Sequence, residues 1–102
     1  MLIIAVTFVT HKEHHAAFVD AVLQNAATSL DLEEGCVVFD VCEDSIRNEV
    51  FLYEQYADDH AFDEEHLKSS HFVEFNKLTM PWVAEKHVRR YQLLTLKTES
   101  SL

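Results

Sequence analysis

Residues 36–56 read CVVFDVC (36–42), EDSIRN (43–48) and EVFLYEQY (49–56), and this stretch decides the fold. Two runs rich in β-branched and aromatic residues flank six polar, turn-like residues, which predicts an antiparallel β-hairpin. In the first run Val37, Phe39 and Val41 alternate with another set that is also largely apolar. Whichever set faces inward, apolar side chains remain on the other face of the sheet. In the second run Glu54 shares a face with Leu52 and Tyr56, a carboxylate in an otherwise apolar row.

Working upstream, Glu33-Glu34-Gly35 breaks a helix ahead of the hairpin, with the lone glycine of the chain at the reversal. In that helix Phe18, Val19, Val22, Leu23, Ala26 and Leu30 form one stripe, opposite Asp20, Gln24, Thr28 and Asp31. Thr10-His11-Lys12-Glu13 matches a capping box that would open it. Before it, LIIAVTFVT (2–10) reads as a strand covered on both faces. Downstream, Asp58 or Asp59 can cap a short helix over Ala61–Lys68, and Ser69 or Ser70 a second one to about Thr79, since Pro81 disfavours helix at Met80. On that second helix Phe72, Phe75, Asn76, Thr79 and Met80 share a face. HVRRYQLLTLK (87–97) reads as a fourth strand and 98–102 as a tail.

Strand, helix, strand, strand, helices, strand is the split βαβ, ferredoxin-like order, an α+β domain over residues 1–97 with helices on one face of a four-stranded antiparallel sheet. The other face is left apolar and needs a second layer. A second copy of the chain is the simplest supplier, so a homodimer is expected.

Composition agrees. The chain has 102 residues, room for one domain, and 48% of them are hydrophobic with one Gly and one Pro, so apolar material is plentiful and loop material scarce. A net charge of −10 without a basic stripe argues against nucleic acid. No apolar run approaches the roughly 20 residues that span a bilayer, and the N-terminal apolar run lacks the positive flank of a signal peptide, so a cytoplasmic protein without a membrane partner is expected. Cys36 and Cys42 sit roughly 20 Å apart along one strand, too far for a disulfide, and are read as two buried thiols.

Several pieces then combine: Glu34-Gly35-Cys36, Phe39-Asp40-Val41, Phe51-Leu52-Tyr53-Glu54-Gln55-Tyr56, Ala61-Phe62, His66 and Ser70-His71-Phe72. In this order and spacing, over residues 2–94, they resemble the antibiotic biosynthesis monooxygenase family. Within it, the Glu-Glu-Gly, Phe-Asp-Val and Tyr-Glu pieces are similar to a branch that includes the phospho-autoinducer-2 isomerase and quinol monooxygenase-like proteins. The resemblance implies a dimeric α+β barrel with one pocket per subunit, between sheet and helices. It implies chemistry without metal, flavin or haem. Family activities include oxidation of quinols and aromatic compounds and isomerisation.

Several residues can carry such chemistry. A carboxylate at Glu54 in apolar surroundings either has a raised pKa or is paired with a donor. His66 and His71 flank the junction of the two short helices, beside Phe62 and Phe72. An imidazole there can take a proton from a phenol or from carbon next to a carbonyl. The resulting anion can react with O₂, or be reprotonated elsewhere as an isomer. A structural, hydrogen-bonded histidine is the alternative for each. Tyr53, Tyr56, Asn76 and Trp82 are candidates to hold a planar ligand with Phe62 and Phe72. Arg89 and Arg90 must point to opposite faces of the last strand, and a phosphorylated substrate would need a cation inside the pocket. No metal site is expected: five-residue spacing on a continuous helix turns His66 and His71 about 140° apart, and no metal-binding motif is present. The reading is a cofactor-independent monooxygenase of a small aromatic or quinol-like substrate. Isomerisation of a small, phosphorylated or free dione and a non-catalytic binding module are the alternatives.

Overall fold

The computed structural model describes residues 1–95. Four strands, β1 (Leu2–Thr10), β2 (Cys36–Asp44), β3 (Glu49–Tyr56) and β4 (Val83–Gln92), form one antiparallel sheet in the order β2-β3-β1-β4. The helices α1 (His15–Leu32) and α2 (Ser70–Thr79) pack on one face of it. This is the ferredoxin-like α+β arrangement expected from the element order.

Strand parity sets the two faces. Leu2, Ile4, Val6 and Phe8 of β1 point at the helices with Val50, Leu52, Glu54 and Tyr56 of β3, and all are buried. Phe8, Phe18 of α1 and Phe75 of α2 form the centre of the core, with ring centroids 4.8 Å and 5.9 Å apart in sequence. The opposite face carries Phe51, Tyr53, His87, Arg89 and Tyr91 around a hollow floored by Ile3, Ala5 and Thr7.

Several local expectations differ. The capping box does not form, because Thr10 is the last residue of β1 and its side chain is taken elsewhere. Its hydroxyl donates to the Asn48 carbonyl at 3.2 Å and lies 2.7 Å from His15 Nδ1. The helix starts instead at His15, after a 3₁₀ turn over Lys12–His14. Its buried stripe runs Phe18, Val22, Asn25, Ala26, Ser29, so Leu23 and Leu30 lie outside it and are exposed. A bulge between Cys36 and Val38 turns Val37 outward while Phe39 stays buried. Of the two free cysteines only Cys36 is buried; Cys42 pairs with Phe51 on an edge strand and is exposed. β4 begins four residues before His87 and ends at Gln92, and the segment expected to carry it on to Lys97 falls partly outside the described residues, as does the tail. Met80 is exposed in a 3₁₀ turn over Met80–Trp82.

The segment that matters most for the site is Ala61–His66, which is a π-helical turn. Asp58 accepts from the Ala61 N–H at 2.8 Å to start it, and the Leu67 N–H donates to the Phe62 carbonyl at 3.0 Å. π turns are uncommon and collect at functional sites. Ser69 then caps α2, its Oγ accepting from the Phe72 N–H. Gly35 lies directly beneath: a Cβ there would meet the Ala61 Cβ at 2.5 Å, so only glycine allows this approach.

Candidate active site

Between the inner sheet face and the helices is a cavity of about 200 Å³. Its floor is apolar, formed by Ile4, Val6, Phe8 and Leu52; Phe62, Phe72 and Phe75 roof it. The polar groups that reach it are Glu54, His66, Asn25 and, at the β4 edge, Lys86.

His66 is 2% exposed and enclosed by rings. Phe62 stacks on it at 5.7 Å, which the π turn permits, and Tyr56, Phe72 and Phe39 lie 5.3, 5.0 and 6.1 Å away. Its Nδ1 sits 2.9 and 3.1 Å from the two carboxylate oxygens of Glu33. Nε2 of His71 reaches the same carboxylate at 2.5 Å. Burial alone would raise the Glu33 pKa, but the hydrogen bonds and charge of His66 and then His71 outweigh it and hold the group below its ordinary value.

These contacts fix the tautomers. An ionised Glu33 only accepts, so His66 holds a proton on Nδ1, and in the neutral form of the ring the lone pair is on Nε2. That nitrogen makes no hydrogen bond among the described residues, on a side chain that lines the cavity. Ser69 has one hydroxyl proton, given to the His66 carbonyl at 2.7 Å, so it accepts from His71 Nε2 at 3.1 Å. His71 therefore donates through Nε2 to both Ser69 and Glu33. It lines a separate groove between α1 and α2, outside the cavity.

Opposite His66, Glu54 is 3% exposed and accepts a 2.5 Å hydrogen bond from the Tyr56 hydroxyl. Burial raises its pKa, against the lowering effects of Tyr56 and then His66. Burial, followed by the neighbouring Glu54 charge, pushes the Tyr56 hydroxyl upward, so Tyr56 remains a donor. Arg90 also faces inward, but it is held in a bidentate pair with Asp63 at 2.8 and 3.1 Å, over the Phe62 ring. Lys86 makes no ion pair among the described residues and lies with Nζ 5.5 Å from the Phe8 ring centroid.

Of the residues singled out from sequence, Glu54, Tyr56, His66, Phe62 and Phe72 are thus gathered in one place. His71 joins them only through Glu33. Tyr53 lies on the other sheet face, bonded to Gln55. Asn76 borders an open depression with Val73 and Met80, and Trp82 packs against the core and stacks on His14 at 5.8 Å. Glu33, Asn25 and Lys86 were not anticipated.

The expected divergence of His66 and His71 does not occur, because Leu67–Ser69 interrupts the helix and lets both rings turn to Glu33. One donor atom from each of the three residues lies within 4.8 Å of the others, a two-histidine, one-carboxylate set. A cation there would have to displace the protons that both imidazoles now present to Glu33.

The model of the antibiotic biosynthesis monooxygenase family matches residues 1–78. This chain belongs to that family. A Nitrosomonas europaea protein provisionally named an antibiotic biosynthesis monooxygenase is similar in structure, with TM-score 0.86 and 23% identity over 93% of this chain and 100% of that one. Rv0793 of Mycobacterium tuberculosis superposes with TM-score 0.85 at 18% identity, over 95% and 98% of the two chains. A further antibiotic biosynthesis monooxygenase structure gives 0.83 at 16%, over 93% and 100%. At these identities the likeness is one of fold. No curated protein matches the chain.

Proposed function

We propose that this family member is a monooxygenase that works without metal or organic cofactor on a small aromatic, quinol-like substrate, with His66 as its base. The observation that carries this reading is the lone pair on His66 Nε2, held at an aromatic cavity by the carboxylate on the opposite side of the ring. A cavity of about 200 Å³ suits a substituted single ring or a small two-ring system, given that about 150 Å³ of apolar void takes up benzene. Phe62, Phe72 and Phe75 supply flat walls for it.

His66 Nε2 removes a phenolic proton, and Glu33 stabilises the imidazolium that forms. The phenolate gives one electron to O₂, and the semiquinone and superoxide combine at a ring carbon. The imidazolium returns its proton to the distal peroxide oxygen. The O–O bond then breaks as the carbon loses its hydrogen as a proton, giving a hydroxyquinone and water. Quinol plus O₂ thus balances hydroxyquinone plus water, with no outside reductant. In this reading Glu54, whose pKa burial raises, keeps its proton and donates it in a hydrogen bond to the developing oxyanion, while its other oxygen accepts from Tyr56. In this reading the protein acts as a cytoplasmic homodimer, the second copy covering the outer sheet face. No helix among the described residues is long and apolar enough to cross a membrane.

Lys86 favours a second reading. A cation without an ion pair among the described residues, at the β4 edge of the cavity, suits an anionic, phosphorylated dione, which the same base would isomerise through an enediolate. Turnover of quinols under ¹⁸O₂ separates the two. Oxygenation places one labelled atom in the product and one in water, unaffected by chelator. Absence of label and of oxygen uptake, with isomer formed from a phosphorylated dione, would replace the first reading with the second.

A further inference from the structure

Asn25 is 5% exposed on the core stripe of α1, flanked by Val22 and Ser29. Its backbone carbonyl accepts from the Ser29 hydroxyl, but its side-chain carboxamide makes no hydrogen bond among the described residues. The Oδ1 atom is buried without a partner, the sole side-chain polar atom so placed among the described residues. Such a group is costly, and native proteins keep few of them without a use. Asn25 lines the same cavity as His66 and Glu54, and with Phe75 it separates that cavity from the groove between α1 and α2. The other polar groups of the cavity wall differ from it. Glu54 holds Tyr56, His66 is fixed by Glu33, and Lys86 stands at the edge.

We infer that Asn25 is a substrate-binding residue, whose carboxamide takes one hydroxyl of a dihydroxylated aromatic ring while the other hydroxyl meets His66 Nε2. The inference rests on the quinol reading above and adds to it the residue that holds the quinol's second hydroxyl. A hydroxyl donates and accepts, so it satisfies a primary amide in either orientation.

The test deletes the contact from both sides. Binding of 1,4-dihydroxynaphthalene and of 1-naphthol, both without oxygen, is measured for wild type, Asn25→Leu and Asn25→Ser, together with melting temperatures. Leucine matches the asparagine in shape, and serine guards against a packing artefact. Wild type is expected to prefer the diol by about 10–100-fold, the worth of one to two hydrogen bonds. Asn25→Leu should lose that preference while melting no lower than wild type. If both variants keep the full preference, the carboxamide holds only a buried water and the inference fails, although the quinol reading stands. Equal binding of the two probes by wild type has the same consequence. No binding of either probe by wild type overturns the quinol reading and the Asn25 assignment together.

Discussion

Glu33 and His66, 33 residues apart in the chain, meet through a carboxylate–imidazole contact of 2.9 Å that is almost wholly buried. The contact joins the end of α1 to the π turn and decides which imidazole nitrogen carries the proton. Glu33 is itself clamped: its N–H donates to the Ser29 carbonyl, and its carbonyl accepts from the Cys36 N–H. The backbone that carries the carboxylate is thereby fixed at the helix end, and a flip of the ring would forfeit its Nδ1 contact with Glu33.

Replacement of Glu33 should accordingly affect rate and stability together. Glu33→Gln is expected to lower turnover about 10²–10⁴-fold, since a misassigned tautomer costs that much in histidine bases elsewhere. Loss of the charged acceptor should destabilise the fold by about 1.5–3 kcal/mol. Steady-state rates beside urea titrations check both. Unchanged turnover would mean that Glu33 does not set the ring.

The two buried carboxylates should titrate against stability with opposite signs. The Glu33 pKa is below its ordinary 4.5, so the folded state holds fewer protons there than the unfolded chain. Its stabilisation is present above 4.5 and is lost as pH falls through the folded value. The Glu54 pKa is raised above 4.5, so its cost is absent below that and grows as pH rises to the folded value. Relative to wild type, Glu54→Gln should gain stability from acid to neutral pH, and Glu33→Gln should lose it. Urea midpoints across that range would show the two difference curves diverging; parallel curves would contradict the assignment.

Much of this arrangement was legible in the sequence, and the failures have physical causes. Alternation placed the four strands and put Glu54 beside Leu52 and Tyr56. The same alternation places Tyr53 on the opposite face, so parity already argued against its joining the cavity. Lys86 was missed because the last strand was begun one residue after it. The helical argument that separated His66 from His71 assumed an unbroken helix, and a π turn followed by a serine cap is not visible in residue periodicity. Glu33 left one signal. An acidic pair at a helix C-terminus opposes the helix dipole, and a residue in an unfavourable local place often has a distant partner. The partner itself, a long-range contact, has no local signature.

Gly35 offers a packing test of how the π turn is seated. Gly35→Ala drives a Cβ to 2.5 Å from that of Ala61 and should cost about 1–3 kcal/mol. Adding Ala61→Gly removes the obstruction and should restore the loss apart from the ~1 kcal/mol that glycine costs in a helix. Additive effects in thermal melts would show that the two residues do not touch.

The outer face gives a test of assembly. Phe51 and Tyr91 are 37% and 52% exposed on a face that no helix among the described residues covers. The proposed homodimer should bury well over about 1,000 Å² there. Light scattering is expected to give twice the chain mass, and Phe51→Glu to halve it. A wild-type monomer at micromolar concentration would remove the dimer.

The claim on which the rest depends is that His66 takes the substrate proton and His71 only supports it through Glu33. It is tested most directly by turnover per folded molecule in His66→Ala and His71→Ala, on whichever quinol the wild type oxidises, with the folded fraction taken from thermal melts. His66→Ala should fall about 10²–10⁴-fold per folded molecule, and His71→Ala far less. Full turnover per folded molecule in His66→Ala would show that the ring only satisfies a buried network, and would contradict the account.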